Sequence, residues 1–368
     1  MQIALTGKLA KALGIKPSAT DETINPLFTW TANWTNVWEN RKTEDLLVLV
    51  NNATRFTVAV YEVKRKDLKK TEEKIQNAIR NTLLAYNLNV EMVDKYLNLS
   101  GAIEYTKNSS RHASAWVSKA GLECAFYIGR EYNGLNKVYS DLVGVASNYR
   151  IVDYSNSKSE GFHPYKKMIK AMENLTGIQP YKSRVFEFRI TLDLEVYTAE
   201  RRVLVPADMS FENMHKVIQY IFDWKSYHLY DFALYNQETG ERELCLVALE
   251  EDLQYDDRAV IMKDYVLSDV FPESMKMVYT YDFGDNWKHD IELVQVIEEY
   301  DAELPYLIEA KGQTPPEDVG GADGFVEFRK VIMDNEHPDY QNAKEWAGFW
   351  TPELSEWKSR PKVIIYCW

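Results

Sequence analysis

Two segments in the second half of the chain, residues 281–289 and 315–321, place carboxylates beside glycines. Carboxylates and an imidazole suit a hard divalent cation such as Mg²⁺ or Mn²⁺, and such a cation can activate water for hydrolysis of a phosphoester. Glycine permits sharp turns and paired prolines exclude a helix interior, so both segments are predicted to be loops. The candidate metal ligands are Asp282, Asp285, His289, Glu317 and Asp318, with His228 as an addition.

The same segments form a candidate binding surface for a protein or a small-molecule ligand, because loops carry much of the binding in proteins. Side chains alternate along a strand, so Trp287 and His289 share one face and His289 is expected at the mouth of the first loop. In an alternative, structural role, the Asp side chains bond nearby backbone amides. The candidate binding residues are Asp282, Gly284, Asp285, Trp287, His289, Glu317, Asp318, Gly320, Gly321 and His228, and none is assigned a catalytic role.

Length and composition are those of a globular protein with two domains: 368 residues, of which 45% are hydrophobic and 13% aromatic. No window approaches the roughly 20 apolar residues of a membrane span, and the first residues do not resemble a signal peptide. Cys124, Cys245 and Cys367 are odd in number and far apart, which suits a reducing compartment rather than a disulfide framework. We therefore expect a cytoplasmic protein without membrane contact.

The net charge of −13 is unevenly distributed, because residues 1–177 are net positive and residues 178–368 strongly negative. Nucleic-acid binding depends on Lys and Arg at the phosphates, so it is not expected of the C-terminal half alone. The basic cluster at residues 64–70 is a solvated surface or a weak candidate for DNA contact. The opposite charges of the two halves can also support self-association.

The patterns along the chain predict an α+β fold with two domains. Residues 1–150 are expected to form the smaller, mixed α/β domain, and residues 151–183 a polar linker followed by a helix. Residues 184–368 are expected to form an antiparallel sheet packed with helices, because residues 185–197 alternate apolar and polar side chains.

The two glycine-rich loops are framed by regular elements. Strands at 275–281 and 287–297 are predicted to flank the first loop as a hairpin, and a helix at 324–333 to follow the second. A helix at 211–223 and a strand at 228–235, which starts with the additional histidine, precede them.

Several blocks of the C-terminal half occur in the order and spacing of a known family. They are RRVLVP at 201–206, MHKVIQ at 214–219, Trp224 with His228 and Leu229, YTYDFGDNW at 279–287 with His289, and PPEDVGG at 315–321 with Gly324 and Phe325. From about residue 185 to residue 350 the chain resembles the plasmid pRiA4b ORF-3-like family. The resemblance implies an α+β fold with an antiparallel sheet and an association with plasmids or other mobile elements.

Some members of that family carry a resolvase label. A recombinase needs a nucleophile among several arginines that clamp the scissile phosphate. This region has few arginines and its loops are acidic, so the recombinase activity is not transferred to this chain.

The chain departs from the family pattern at three places. Members often have a cysteine near each end of the stretch before Pro315, where this chain has Ala310 and Thr314, and a second histidine where it has Tyr230. A metal site through those positions is therefore not expected here. Residues 1 to about 125 separately resemble a small bacterial family of unknown function, through Leu9, LGIKP at 13–17, FTW at 28–30, residues 47–51 and YTK at 105–107.

Three functional hypotheses follow. The first is a non-enzymatic binding or regulatory protein of mobile elements, which presents the two acidic loops to an unknown protein or small-molecule ligand. The second is a metal-dependent phosphoester hydrolase that uses the Asp, His and Glu cluster with Mg²⁺ or Mn²⁺. The third is a DNA-binding accessory protein, in which the cluster at 64–70 and the lysines at 166 and 167 contact phosphates. The incomplete catalytic set favours the first.

Overall fold

The chain divides into two compact units, Met1–Lys182 and Ser183–Tyr366. Each contains a β-sheet and helices, which confirms the α+β class with two domains. No helix in the described part of the chain is both long and apolar enough to cross a membrane. The structure, a computed structural model, describes residues 1–37, 44–131, 140–153, 160–236, 238–348, 350, 358–359 and 362–364.

The first unit is built on a mixed sheet of five strands. These strands are β1 (Gln2–Leu5), β2 (Thr29–Thr35), β3 (Leu46–Asn51), β4 (Thr57–Val60) and β5 (Glu104–Lys107). They lie in the order β4-β3-β2-β1-β5, with β1 parallel to β2 and β5 and the other neighbours antiparallel. The described helices are α1 (Gly7–Leu13), α2 (Thr71–Leu84), α3 (Val90–Ser100), α4 (Arg111–Glu131), α5 (Ser140–Tyr149) and α6 (Pro164–Thr176).

Helix α6 belongs to the core of the first unit, although the sequence analysis grouped it with a linker at residues 151–183. Tyr165, Met168 and Met172 recur at helical spacing on one face and are buried among the side chains of that core. The Nζ of Lys95 on α3 donates to the carbonyl of Thr176 at 2.8 Å, which fixes the end of the helix. The unit therefore continues to Lys182. Most of the predicted polar linker, residues 154–159, lies outside the described residues.

The second unit contains a larger sheet, and its neighbouring strands are antiparallel except for a short parallel pair at one edge, β9 with β10. Its order is β10-β9-β8-β11-β12-β6-β7-β13-β14, and β15 also pairs with β13. The strands are β6 (Ser183–Asp193), β7 (Thr198–Pro206), β8 (Tyr230–Tyr235), β9 (Arg242–Val247), β10 (Ala259–Ile261), β11 (Lys276–Tyr281), β12 (Trp287–Tyr300), β13 (Tyr306–Lys311), β14 (Lys358–Ser359) and β15 (Lys362–Val363). The described helices are α7 (Phe211–Phe222), α8 (Gly321–Met333) and α9 (Tyr340–Ala347).

The alternating pattern that predicted the first long strand of this unit is confirmed. Phe186, Phe188 and Ile190 of β6 are buried in the core with side chains of α7 and α8. The strand ends at Asp193 because the chain turns there, with Glu195 in the left-handed region at φ 61°.

Three loops of the second unit lie next to one another. Loop A (residues 223–229) joins α7 to β8, loop B (residues 282–286) closes the β11–β12 hairpin, and loop C (residues 312–320) joins β13 to α8. A buried arginine, Arg201 on β7, links the origins of loops A and C. Its Nε donates to the Ile221 carbonyl at 2.6 Å, and its Nη1 donates to the carbonyls of Lys311 and Gly312 at 2.7 and 3.0 Å.

Arg201 is 1% exposed, and burial lowers its pKa to about 10, so the guanidinium is charged at neutral pH. Charge-assisted hydrogen bonds to the carbonyls of Ile221, Lys311 and Gly312 compensate for its desolvation. Thr314 adds a second tie, because its hydroxyl donates to the Phe222 carbonyl. These hydrogen bonds therefore fix the bases of loops A and C.

Candidate functional site

Loop C lies directly on loop B, with backbone against backbone. The amide of Gly320 donates to Oδ2 of Asp285 at 3.1 Å. Gly321 has φ +71°, and a Cβ at this position would lie 2.8 Å from the Asp285 carbonyl oxygen. A side chain would force the loops apart, so the chain requires glycine here.

Gly324 has a similar role inside the turn that begins α8. A Cβ on this residue would lie 2.2 Å from the Val319 carbonyl oxygen. Three of the family's glycines, Gly320, Gly321 and Gly324, thus lie at the contact between loops B and C or at the turn beside it. Gly284 contributes within loop B, where its amide donates to Oδ1 of Asp282 at 2.9 Å.

Glu317 connects loop C to loop A and to the end of β11. Its Oε1 accepts from the Tyr281 hydroxyl at 2.6 Å and from the Lys225 amide at 3.2 Å. The Tyr281 oxygen in turn accepts from the Tyr227 amide at 3.0 Å. Burial raises the pKa of Glu317, and these hydrogen bonds oppose that shift. Burial also raises the pKa of Tyr281, which keeps its hydroxyl a donor.

Asp282 has two different oxygens in use. It lies in the left-handed region at φ 55°, and its Oδ1 accepts from the amides of Gly284 and Asp285 at 2.9 and 3.3 Å. Its own amide donates to the Leu229 carbonyl at 3.0 Å, which places loop A beside loop B. The second oxygen, Oδ2, is directed to the imidazole of His228.

His228, Asp282 and Asp318 converge on one point. Nε2 of His228 is 3.0 Å from Oδ1 of Asp318 and 3.5 Å from Oδ2 of Asp282, and the three atoms all lie within 4.8 Å of one another. This Nε2 is shielded from solvent and forms no well-aligned hydrogen bond with any described residue. Ligand atoms about 2.1 Å from one cation are about 3 Å apart at right angles, so the spacing fits a divalent ion. We call these three residues the triad.

Exposed apolar residues adjoin the triad residues in the sequence. Tyr227 and Leu229 flank His228 in loop A, and their exposed fractions are 72% and 46%. Phe283 follows Asp282 in loop B and is 46% exposed. Tyr227 and Phe283 were not among the residues predicted from the sequence. The sequence feature that could have identified them is a large aromatic residue within a polar loop segment.

A buried polar network supports loop A from below. The Ser226 amide donates to Oε1 of Gln219 at 2.7 Å, and the amide group of Gln219 donates to the Tyr279 hydroxyl at 2.9 Å. His215 lies between Tyr279 and Ser226, with ring nitrogens 2.8 Å and 3.3 Å from their hydroxyls. Burial lowers the pKa of His215 to about 3, so this network is neutral and holds the loop without a charge.

The expectation that His289 lies at the mouth of loop B is wrong. His289 is fully buried, and its Nε2 accepts from Nε1 of Trp224 at 3.1 Å. Burial lowers its pKa to about 3. Trp287 is also buried and packs on Trp224. The two residues do share one face of β12, as the alternation predicted, but that face is the one packed into the core.

The five candidate metal ligands therefore separate into groups. Asp282 and Asp318 converge with His228. Asp285 accepts from a backbone amide of loop C, which is the structural role predicted as the alternative. Glu317 accepts from a backbone amide of loop A and from the Tyr281 hydroxyl at the end of β11. His289 lies in the core. A single cluster of Asp282, Asp285, His289, Glu317 and Asp318 is not formed, and His228, at first only an addition, becomes central.

The fold and the site define a protein with two α+β units, the second of which presents three interlocked loops. Residues 184–359 match the model of the plasmid pRiA4b ORF-3-like protein family, and residues 2–167 match a domain of unknown function, DUF6933. The uncharacterized protein y4hQ of Sinorhizobium fredii is 35% identical over 166 residues, which are 45% of this chain and 81% of the relative. The chain belongs to the pRiA4b ORF-3-like family, as the sequence predicted.

A solved structure is also similar. The crystal structure of MM3350, a protein of unknown function from Methanosarcina mazei Go1, has 32% sequence identity to this chain and a TM-score of 0.41. The similarity covers 46% of this chain and 93% of that chain. The descriptions of these families and relatives state no activity.

Replacing Gly321 with alanine tests the contact between loops B and C. Gly240 is a matched control, because it also has φ +71° but a Cβ there would meet nothing within 4 Å. We expect Gly240→Ala to lower the free energy of unfolding by about 1 kcal/mol through backbone strain alone. Gly321→Ala should lose at least about 1 kcal/mol more, because the loops must separate. Urea denaturation followed by tryptophan fluorescence measures both, and equal losses would refute the contact.

The raised pKa of Glu317 predicts that the free energy of unfolding depends on pH. Because burial raises its pKa above the ordinary value of 4.5, the native state holds this proton to higher pH than the unfolded chain does. Its contribution to stability is complete below the unfolded-state pKa and is lost as the pH rises through the native pKa. Glu317→Gln keeps an acceptor for Tyr281 and removes the titration. The free energy of unfolding of the wild type, minus that of the variant, should therefore decrease between acidic and neutral pH, and a constant difference would contradict this account.

Proposed function

We propose that the second unit is a cation-dependent binding module, in which the triad holds Mg²⁺ or Mn²⁺ and the surrounding loops bind a protein or a small-molecule ligand. The observation that carries this proposal is the convergence of one imidazole and two carboxylates at the outer edge of three interlocked loops. Their side chains come from loops A, B and C, so no one of these loops forms the site by itself. The hydrogen bonds of Glu317 and Asp285 hold the loops together before a ligand arrives.

The exposures of the triad support a site open on one side. The Asp318 side chain is 65% exposed, that of His228 is 29% exposed and that of Asp282 is 12% exposed. Three protein ligands leave coordination positions for water or for an oxygen of the bound molecule. Tyr227 and Phe283 supply apolar contact area beside those positions, which is the usual composition of a ligand site: an apolar lining with a few polar anchors.

A hydrolase that uses all five originally proposed ligands is less well supported. Such an enzyme needs a free base beside the cation to activate water. Glu317 already accepts two hydrogen bonds, Asp285 is bonded to Gly320, and His289 is enclosed by the core. The binding role needs none of these groups to be free. A regulatory role in a plasmid or another mobile element rests on the family description alone and forms part of this proposal.

Calorimetric titration with MnCl₂ tests the cation site. The wild type should bind one equivalent, and His228→Ala and Asp318→Asn should each weaken binding by about tenfold or more, because each removes one ligand. Asn tolerates the left-handed backbone of Asp318, at φ 60°, so the second variant is expected to keep its fold. Asp257→Asn, an equal change of charge at an exposed position outside the three loops, serves as the control.

The results of this titration either support or refute the cation site. Loss of binding in both triad variants with retention in the control supports the proposal. The proposal fails if the wild type shows no binding, or if His228→Ala and Asp318→Asn bind Mn²⁺ as the wild type does. Circular dichroism of every variant excludes unfolding as the cause of a loss.

A further inference from the structure

A cavity of about 550 Å³ opens in the first unit, and its described lining residues all belong to that unit. One wall is the outer side of α1, with Lys8 and Lys11, and another is the junction at the start of the 3₁₀ helix Arg65–Lys70. The two segments are far apart in the sequence and meet at this cavity. The described residues that give it positive charge are Lys8, Lys11, Lys64, Arg65 and Lys66.

Among the described lining residues of this cavity, basic side chains outnumber acidic ones. Glu44 is the carboxylate among the described lining residues, and it pairs with Lys8 at 2.5 Å. Asp67 is close in sequence, but its carboxylate accepts from the Lys64 amide at 3.0 Å and stabilises the turn. Like charges gathered in a concave surface repel one another and raise the local potential, which a bound anion relieves.

The backbone that carries these side chains is firmly held. Trp34 forms part of the cavity wall, is 5% exposed, and donates from Nε1 to the Val63 carbonyl at 2.9 Å. Leu9 and Leu68, on the inner sides of α1 and of the junction, are buried in the core. The basic residues therefore project from fixed positions, although their own long side chains are exposed.

We propose that this cavity binds a small molecule that carries at least two phosphate groups. Lysine ammonium groups bind phosphate as point charges, and the volume is in the range of cavities that enclose a small ligand. Trp34 is too deeply buried to stack on a base, so recognition is directed at the phosphates. A nucleic-acid strand would require basic residues along an extended surface, whereas these converge on one concavity.

Calorimetric titration of the full chain with sodium pyrophosphate, in buffer of low ionic strength that contains EDTA, tests this inference. EDTA removes divalent cations, so the result does not depend on the triad. The Lys64→Gln/Lys66→Gln variant should bind pyrophosphate about tenfold more weakly than the wild type. The matched control is Lys107→Gln/Lys119→Gln, which removes the same charge from exposed positions of β5 and α4 in the same unit, outside the lining.

Weaker binding in the cavity variant, with wild-type binding in the control, supports the proposal. Absence of binding in the wild type, or equal weakening in the two variants, overturns it, because the second result shows a response to net charge alone. A duplex DNA probe is titrated in parallel. If DNA binds, pyrophosphate does not, and the cavity variant alone loses the DNA, the site is a nucleic-acid contact and the small-molecule proposal is wrong.

Discussion

The backbone contact between loops B and C, at Asp285 and Gly321, is the constraint on which the rest of the site depends. A Cβ on Gly321 would collide with the Asp285 carbonyl oxygen. The amide of the preceding residue, Gly320, donates to the Asp285 carboxylate. Once the two loops are joined, Glu317 lies where it can accept from Tyr281 and from loop A. Asp318 then lies within reach of His228. The residues that mark the family are therefore largely those that close the loops on one another.

This arrangement explains why Asp285 and Glu317 do not join the triad. A carboxylate oxygen that already accepts hydrogen bonds from backbone amides is held in place and has fewer lone pairs free for a cation. Asp285 and Glu317 are of this kind. Asp282 combines both roles, because Oδ1 bonds loop amides while Oδ2 faces the histidine. Asp285 and Glu317 thus hold the loops together, whereas Asp318 and one oxygen of Asp282 face His228.

The local features of the fold could be predicted from the sequence. The alternation along β6, the hairpin around loop B and the loops at the glycines are properties of short segments, and the structure bears them out. The convergence of the triad could not be predicted, because His228 and Asp318 are distant in sequence and meet only through the fold. Periodicity showed that Trp287 and His289 share a face but not that this face is covered. Strand β13, a short segment after Pro305 without a clear alternation, was missed for the same reason: pairing with β7 determines it.

The most direct test of the central claim is an anomalous diffraction measurement on crystals of the full chain soaked in MnCl₂. The claim is that the interlocked loops hold His228, Asp282 and Asp318 ready to bind a cation. It predicts one anomalous peak at about 2.2 Å from Nε2 of His228 and from a carboxylate oxygen of each aspartate, with loops A, B and C unmoved. A peak coordinated by Asp285 and Glu317 instead, or loops that separate around the ion, would contradict it.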